Sequence, residues 1–188
     1  RQRQMCIRDS LKNNLKERIS VGPSESMSKS KKNTIDPGKM VAAYGADAVR
    51  FFILSDSPPE KDIQWSDTGV AAANKFLQKI WNLSFQIINR KDKKISKKFE
   101  NKFLIELELL FSKIDRSIEA FKFNVTIAHF YETYNLFNYY LNLEISNKCL
   151  INSVTKLMKL LLPITPHIAN EILDLLKCNS KNSWPVIK

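Results

Sequence analysis

Glycine and proline are distributed unevenly along this 188-residue chain. All four glycines lie within the first 69 residues, and no proline occurs between Pro59 and Pro163. Because glycine and proline mark turns and end helices, their absence from residues 70–162 predicts long, uninterrupted helices. We therefore expect two regions of different structure, with a boundary near residue 66. The region before the boundary is predicted to alternate loops with short helices.

Two short helices are predicted before the boundary. Asp36 and Pro37 form a typical helix start, with aspartate as the N-cap and proline at the first helical position. Gly45 lies where this helix should end. A second apolar helix is predicted for residues 46–55. It must end before Pro58, because proline disfavours helical geometry in the residue before it.

Five longer helices are predicted beyond the boundary from apolar residues spaced three and four apart. Ser66 is the predicted N-cap of the first, and Thr165-Pro166 begins the last, which continues to about Leu176. The buried stripes predicted for the first four are Val70, Ala73, Leu77, Ile80, Trp81 and Ile87; Leu104, Leu107, Phe111, Ile114, Ile118 and Phe121; Val125, Ala128, Leu136, Tyr139 and Leu143; and Leu150, Val154, Leu157 and Leu161. The predicted fold class is therefore mainly α, with an antiparallel helical bundle.

Composition restricts the classes to which the chain can belong. Apolar residues make up 44% and charged residues 26%, which is typical of a folded globular protein. No apolar run approaches the ~20 residues of a membrane span, and the N-terminus has no signal-peptide pattern. Cys6, Cys149 and Cys178 are widely separated and have no CxxC spacing. We therefore expect a cytoplasmic protein with no membrane contact, no disulfide framework and no metal site.

The net charge of +11 favours a polyanionic partner such as nucleic acid. A biased composition, rich in lysine and asparagine, is the alternative and requires no partner. Residues 90–102 hold seven basic and two acidic residues between two predicted helices. This stretch is either a solvated connecting loop or a contact with RNA phosphates. The residues that would make such a contact are Arg90, Lys91, Lys93, Lys94, Lys97 and Lys98.

A polar loop over residues 24–33 carries three lysines, at positions 29, 31 and 32, and four serines, among them Ser24 and Ser26. Ammonium groups and hydroxyl donors match the oxygens of a triphosphate, so such a loop can surround ATP phosphates. Composition alone favours a flexible surface turn. A phosphate site therefore needs support from the order of the residues in and after the loop.

That order resembles a known family. Met27-Ser28-Lys29-Ser30 matches the last four positions of the Lys-Met-Ser-Lys-Ser signature of class I aminoacyl-tRNA synthetases. Residues 44–52 are similar to the segment that follows the signature in the leucine, isoleucine and valine enzymes, and residues 31–37 and 58–66 resemble the leucine enzymes in particular. Three further blocks resemble the anticodon-binding bundle of the family, at residues 76–83, 163–169 and 184–185.

The resemblance covers residues 21–185 and implies a C-terminal fragment of a leucine–tRNA ligase. Residues 21–65 would end the catalytic domain and carry the ATP-phosphate loop, and residues 66–188 would form a helical anticodon-binding bundle. The implied reaction activates leucine with ATP and Mg²⁺ to leucyl-adenylate and transfers leucine to tRNA(Leu). The implied state is a cytoplasmic monomer. Residues 1–20 stay unassigned, with a remnant of sequence assembly as one interpretation of residues 1–10.

The resemblance assigns ATP binding to four residues: Lys29, Met27, Ser28 and Ser30. Lys29 would act as an electrostatic clamp on the transition state, and not as an acid, base or nucleophile. Ser26 departs from the family, because it stands where the signature begins with lysine. One of two phosphate-facing cations is therefore missing, and whether Lys31 compensates for it stays open. No metal site and no catalytic residue outside the loop are expected.

Two alternatives stay open. A synthetase for isoleucine, valine or methionine would share the loop and the bundle, although residues 31–33 and 58–66 favour the leucine enzyme. A non-catalytic helical RNA-binding module would explain the positive charge and the lack of the nucleotide-binding sheet and editing domain expected of the family. One clear phosphate ligand cannot assemble a leucine or adenine pocket, so the chain by itself is predicted to be inactive.

Other reactive or aromatic side chains receive structural interpretations. His129 and His167 lie in predicted helices, with no second ligand at metal spacing. Four tyrosines are able to stack on RNA bases, but their helical spacing favours packing within the bundle. They are Tyr131, Tyr134, Tyr139 and Tyr140. Trp65 and Trp81 are predicted to anchor the two regions to each other.

Overall fold

A computed structural model describes residues 25–91, 95–181 and 183–187. These parts contain seven helices: α1 (Pro37–Tyr44), α2 (Ala46–Asp56), α3 (Asp67–Ile88), α4 (Lys97–Glu119), α5 (Phe123–Leu141), α6 (Asn147–Leu161) and α7 (Pro166–Leu175). The prediction of a mainly helical chain is confirmed. The unassigned residues 1–20, and Ser24, Lys93 and Lys94 of the predicted sites, lie outside the described residues.

Two of the predicted side-chain caps are present, whereas Thr165 precedes α7 as predicted but makes no cap bond through its side chain. The Asp36 carboxylate accepts a hydrogen bond from the backbone N–H of Gly38 at 2.9 Å at the start of α1. The Ser66 hydroxyl accepts one from Gly69 N–H at 3.1 Å at the start of α3. Gly45 ends α1 with a φ of 83°, in the left-handed region that favours glycine. The ends of these helices therefore follow from the residues that the sequence places there.

Helices α3 to α6 form an antiparallel bundle, in which α3 and α4 each pack against both α5 and α6. Near the start of α4, Phe103 contacts Phe137 and Tyr140 near the end of α5. At the opposite end of this pair, the hydroxyls of Ser117 and Thr126 lie 2.8 Å apart. Helix α7 packs against α6 and α3, and α2 packs against α3, α5 and α7. The chain before the bundle is thus attached to it near the start of α3.

The predicted stripes of α3 and α6 are confirmed, with Trp81 half-buried and the other residues of both stripes buried. In α4, Leu107, Phe111 and Ile114 are buried as predicted, but Leu104 and Phe121 are exposed. Phe103 occupies the core position beside Leu104, and Phe121 follows the end of the helix. The apolar pattern therefore located the middle of α4 correctly and misjudged the two ends of its stripe. The start of α4 was also wrong, because the helix begins at Lys97, inside the stretch 90–102 that was predicted to connect two helices.

The predicted stripe of α5 is wrong. Val125 and Tyr139 are exposed, and the buried face is rotated by about one residue. It consists of Thr126, Ile127, Phe130, Thr133, Phe137 and Tyr140. The hydroxyls of Thr126 and Thr133 donate to the carbonyls four residues earlier, at 3.1 and 2.7 Å. Because a threonine bonded in this way needs no other partner, it can be buried in a position that a purely apolar pattern misses.

Candidate functional site

Asn33 closes the polar loop from two sides. Its side-chain oxygen accepts from Ser28 N–H at 2.8 Å, and its side-chain nitrogen donates to the carbonyl of Ser26 at 3.2 Å. A tight turn lies between these contacts, with a bond of 3.1 Å from Lys32 N–H to the carbonyl of Lys29. Lys32 has a left-handed φ of 51°. Residues 26–33 are therefore held in one shape by their own hydrogen bonds.

The loop presents hydroxyl groups and cations to solvent. The hydroxyl oxygens of Ser28 and Ser30 lie 3.2 Å apart, and the ammonium of Lys31 pairs with Glu25 at 2.7 Å. Lys29 is exposed and makes no hydrogen bond or ion pair through its ammonium with any residue that the structure describes, and the same holds for Lys32. Met27 is half-buried. The geometry thus leaves the predicted Lys29 cation available beside two hydroxyls.

Two charged residues of α2 bind the turn between α6 and α7. The buried carboxylate of Asp47 accepts from Ile168 N–H at 2.7 Å and lies 2.8 Å from Nδ1 of His167. The guanidinium of Arg50 donates to the carbonyls of residues 163 and 164, at 2.8 and 2.9 Å. A carboxylate at a helix N-terminus and a cation at carbonyls that follow a helix are both favourable. Helix α2 is thereby fixed to the bundle.

One signal for this junction is present in the sequence, but the apolar pattern did not use it. Asp47 and Arg50 lie three residues apart on one turn of α2, whose other residues up to Leu54 are apolar. Charged residues at such positions need partners, but their partners lie more than 110 residues further along the chain. No local pattern identifies a contact at that separation.

The predicted basic residues lie in two different surroundings. The guanidinium of Arg90 donates to the carbonyls of residues 141, 143 and 145, at 3.1, 2.9 and 2.8 Å, at the end of α5 and just beyond it. Lys91, Lys97 and Lys98 are exposed, with no ion pair to any described residue. Arg90 therefore joins the end of α3 to the end of α5, whereas the three lysines present their charges to solvent.

The tyrosines also differ in their surroundings. Tyr140 is buried and donates to Glu106 at 3.2 Å, and burial, reinforced by the Glu106 carboxylate, raises the pKa of its hydroxyl. Tyr131 packs on Phe76, with ring centroids 3.9 Å apart, and burial raises its pKa as well. Tyr139 is 67% exposed. Tyr140 and Tyr131 thus pack within the protein as predicted, whereas Tyr139 does not.

The histidines make local contacts. His129 lies 3.1 Å from Glu132 one turn along α5, and His167 contacts Asp47 at the junction described above. Among the residues with described positions, no three His, Cys, Asp or Glu side chains are grouped so that they would hold a metal ion. Within the same residues, no helix is long and apolar enough to cross a membrane.

Two stretches of the chain match known sequence families. Residues 100–188 match the anticodon-binding domain of tRNA ligase, and residues 20–66 match the class I tRNA synthetases of the I, L, M and V group. The chain thus combines, in this order, sequence of a class I tRNA synthetase and sequence of its anticodon-binding domain. Both matches are to tRNA synthetases, which is the class that this chain resembles.

Curated relatives narrow the class. The leucine–tRNA ligase of Thermosipho melanesiensis is 41% identical over 155 residues, which cover 78% of this chain and 19% of the relative. That of Roseobacter denitrificans is 36% identical over 157 residues, which cover 82% of this chain and 18% of the relative. The predicted resemblance is confirmed: the chain is homologous to leucine–tRNA ligases, and it spans about a fifth of their length.

Solved structures show the same fold. The crystal structure of the Agrobacterium radiobacter K84 AgnB2 LeuRS–tRNA–LeuAMS ternary complex is similar with a TM-score of 0.76 and 29% identity, over 86% of this chain and 22% of that one. Free Mycobacterium tuberculosis methionyl-tRNA synthetase gives a TM-score of 0.63 at 16% identity, over 74% of this chain and 34% of that one, and shows the fold alone. The predicted anticodon-binding type of bundle is therefore confirmed.

Proposed function

We propose that the chain supplies the ATP-phosphate loop and the tRNA-binding bundle of a leucine–tRNA ligase. The observation that carries this proposal is the similarity to leucine–tRNA ligases along 78–82% of the chain. In the proposed reaction, the leucine carboxylate attacks the α-phosphate of ATP, pyrophosphate leaves, and leucine passes to the terminal ribose of tRNA(Leu). ATP enters with Mg²⁺ as a substrate. We assign residues 21–65 to the end of the catalytic domain, which carries the loop, and residues 66–188 to the bundle.

Lys29 is the proposed phosphate ligand, with Met27, Ser28 and Ser30 in support. Its ammonium has no partner among the described residues, and Asn33 holds the turn that presents it. A fixed cation stabilises negative charge that develops as pyrophosphate leaves, and it needs no proton transfer to do so. Lys31 is paired with Glu25, so it must leave that carboxylate before it can replace the lysine that Ser26 lacks.

The test of this role uses a chimaeric ligase, in which the chain replaces the matching segment of the Thermosipho melanesiensis relative. Lys29→Ala is expected to slow leucine-dependent pyrophosphate exchange by ~100-fold or more, with little effect on leucine binding. Lys32→Ala is the matched control, because Lys32 is another exposed lysine of the same turn. If the Lys29→Ala and Lys32→Ala variants exchange pyrophosphate at the same rate, the assignment of Lys29 is refuted.

The bundle is proposed to bind tRNA(Leu) through exposed lysines beside the start of α4. Lys91, Lys97 and Lys98 carry this role, and Lys93 and Lys94 are assigned to it from the sequence alone. Replacing the first three with glutamine should weaken binding and reduce the slope of log affinity against log salt by about 2 to 3, because each lost phosphate contact removes about 1.

The control for the lysine variant is a triple glutamine variant of Lys113, Lys122 and Lys177, which are exposed lysines elsewhere on the chain. Equal slopes for the two triple variants would mean that Lys91, Lys97 and Lys98 are solvated and make no contact with RNA phosphates. The chain by itself is proposed to be inactive, and formation of leucyl-adenylate by the purified chain would refute that. A folded chimaera that binds tRNA and shows no exchange would favour the non-catalytic RNA-binding module.

A further inference from the structure

We propose that Lys159, Ser180 and Ser183 form a binding site for a phosphate group. Lys159 lies in the last turn of α6 and is 9% exposed, and the two serines belong to the segment that follows α7. The Lys159 ammonium donates to the hydroxyl of Ser183 at 2.8 Å and to that of Ser180 at 3.2 Å. The proposed ATP-phosphate loop and RNA-binding lysines do not include these residues, so the site does not depend on the proposed function.

The buried ammonium of Lys159 has no carboxylate partner among the residues with described positions. Asp47 is the other buried charged side chain in this part of the chain, and it is bonded to the start of α7 and to His167. Burial of a charge is costly unless an opposite charge accompanies it. The C-terminal end of α6 offers Lys159 a favourable dipole, but this is only a partial charge. The surroundings of Lys159 therefore favour an anion.

The donors beside Lys159 are open to solvent. Ser180 and Ser183 are exposed, and the hydroxyl proton of Ser180 has no acceptor in the described chain, because Lys159 is the one partner of that hydroxyl there. The backbone N–H groups of residues 179–181 form no hydrogen bond with a described residue either. Successive free N–H groups can donate to one anion. An anion from solvent thus meets several neutral donors, with a buried cation within hydrogen-bond distance of two of them.

The segment that carries the two serines is attached to the rest of the protein. The indole N–H of Trp184 donates to Asp115 of α4 at 2.8 Å, and the Ser183 hydroxyl donates to the Ser180 carbonyl at 2.9 Å. These bonds keep both hydroxyls beside the ammonium, so a ligand does not have to order the segment. A phosphate group has more acceptor oxygens than a carboxylate, and it therefore matches more of the donors.

The experiment is a calorimetric titration of the 188-residue chain with inorganic phosphate at constant ionic strength. Every variant also carries Lys29→Ala, which removes the lysine of the proposed ATP-phosphate loop. The chain with Lys29→Ala alone should bind phosphate saturably. Adding Ser180→Ala should weaken binding about tenfold, since a hydrogen bond to a charged group is typically worth that much. Ser96→Ala is the matched control and should not weaken it, because the Ser96 hydroxyl also has no acceptor among the described residues.

Lys159→Met tests the missing negative charge by a second measurement. In chloride, this variant should unfold at the urea concentration of the parent chain or at a higher one, because an apolar side chain replaces a buried cation that has no counter-ion. Phosphate should raise the midpoint of the parent chain and not that of this variant. Lys113→Met, at an exposed lysine of α4, is the control and should keep the stabilisation by phosphate.

Three outcomes would overturn the proposal. They are no saturable binding of phosphate, binding that Ser180→Ala leaves unchanged, and a loss of stability in chloride for Lys159→Met, which would mean that a carboxylate of the chain already pairs with Lys159. Competition with tRNA(Leu) identifies the source of the phosphate group. Displacement of phosphate would support a site for an RNA phosphate, and retention of phosphate beside tRNA(Leu) would support a site for free phosphate. The site and the proposed function can therefore fail separately.

Discussion

Asn33 holds the proposed ATP-phosphate loop at two points, and no pattern in the sequence assigns it this role. The order Met27 to Ser30 predicts the identity of the loop through its resemblance to a family. The hydrogen bonds of Asn33 join it to backbone groups five and seven residues earlier. Such bonds have no periodic signature, so the sequence predicts the ligand and not the residue that positions it.

Asn33→Ala should loosen the loop without unfolding the chain. Proteolysis needs a locally opened backbone, and the variant loses both side-chain bonds that close residues 26–33. Trypsin should therefore cleave several-fold faster after Lys29, Lys31 and Lys32, as measured by mass spectrometry. Cleavage after Lys97 and Lys98 provides an internal control and should keep its rate. Unchanged cleavage at the loop would mean that Asn33 does not hold it.

Asp47→Asn should destabilise the chain by about 1 to 3 kcal/mol in urea unfolding. Asp47 is 8% exposed, and both of its carboxylate oxygens accept hydrogen bonds at the start of α7. The asparagine side chain keeps one acceptor oxygen, but its NH₂ group replaces the second oxygen and faces a hydrogen-bond donor of α7. Glu119→Gln, at an exposed carboxylate, is the control and should change stability by less than about 0.5 kcal/mol. Equal effects of the two variants would contradict this role of Asp47.

At the scale of helices, the sequence predicts where elements begin and end better than which face they bury. Asp36 and Ser66 cap α1 and α3 as predicted, because capping depends on residues within one turn. The buried face of α5 was wrong because Thr126 and Thr133 point into the core. Burial of a threonine depends on its own hydrogen bond and on the neighbouring helix, and neither is visible in an apolar pattern.

Gly69→Ala tests the close approach of α2 and α3. A Cβ at this position would lie 2.4 Å from Cε2 of Phe52, which is too close for any carbon contact. We expect a loss of about 1 to 3 kcal/mol in unfolding free energy, although alanine favours helices. Combining Gly69→Ala with Phe52→Leu should cost less than the sum of the two single changes, because the shorter side chain vacates the space. Additive losses would contradict the proposed contact.

Arg90→Met tests the link between the ends of α3 and α5. The guanidinium makes three hydrogen bonds to backbone carbonyls, and methionine keeps the length of the side chain without them. The expected loss of stability is about 2 to 3 kcal/mol, measured by urea unfolding. Arg116→Met, at an exposed arginine of α4, is the control and should have little effect. A small loss for Arg90→Met would return this residue to the predicted RNA-binding set.

At the scale of the whole molecule, the bundle shares one hydrophobic core with the segment that lies between the loop and the bundle. Buried side chains from Ala48 in α2 to Leu173 in α7 belong to a single cluster. Trp65 packs edge-on against Phe52, and Trp81 lies beside Tyr44 and α2, as expected of residues that anchor the two regions. The sequence predicted the packing of Trp65 and Trp81. It did not predict the bonds from Asp47 and Arg50, which join residues more than 110 positions apart.

The central claim is that this chain supplies the ATP-phosphate loop and tRNA-binding bundle of a leucine–tRNA ligase. The most direct measurement is leucylation of tRNA(Leu) by the chimaera in which the chain replaces the matching segment of the Thermosipho melanesiensis ligase. We predict that this chimaera charges tRNA(Leu) with leucine and that Lys29→Ala abolishes most of the activity. A chimaera that melts like the parent ligase and charges no tRNA(Leu) would contradict the proposed function.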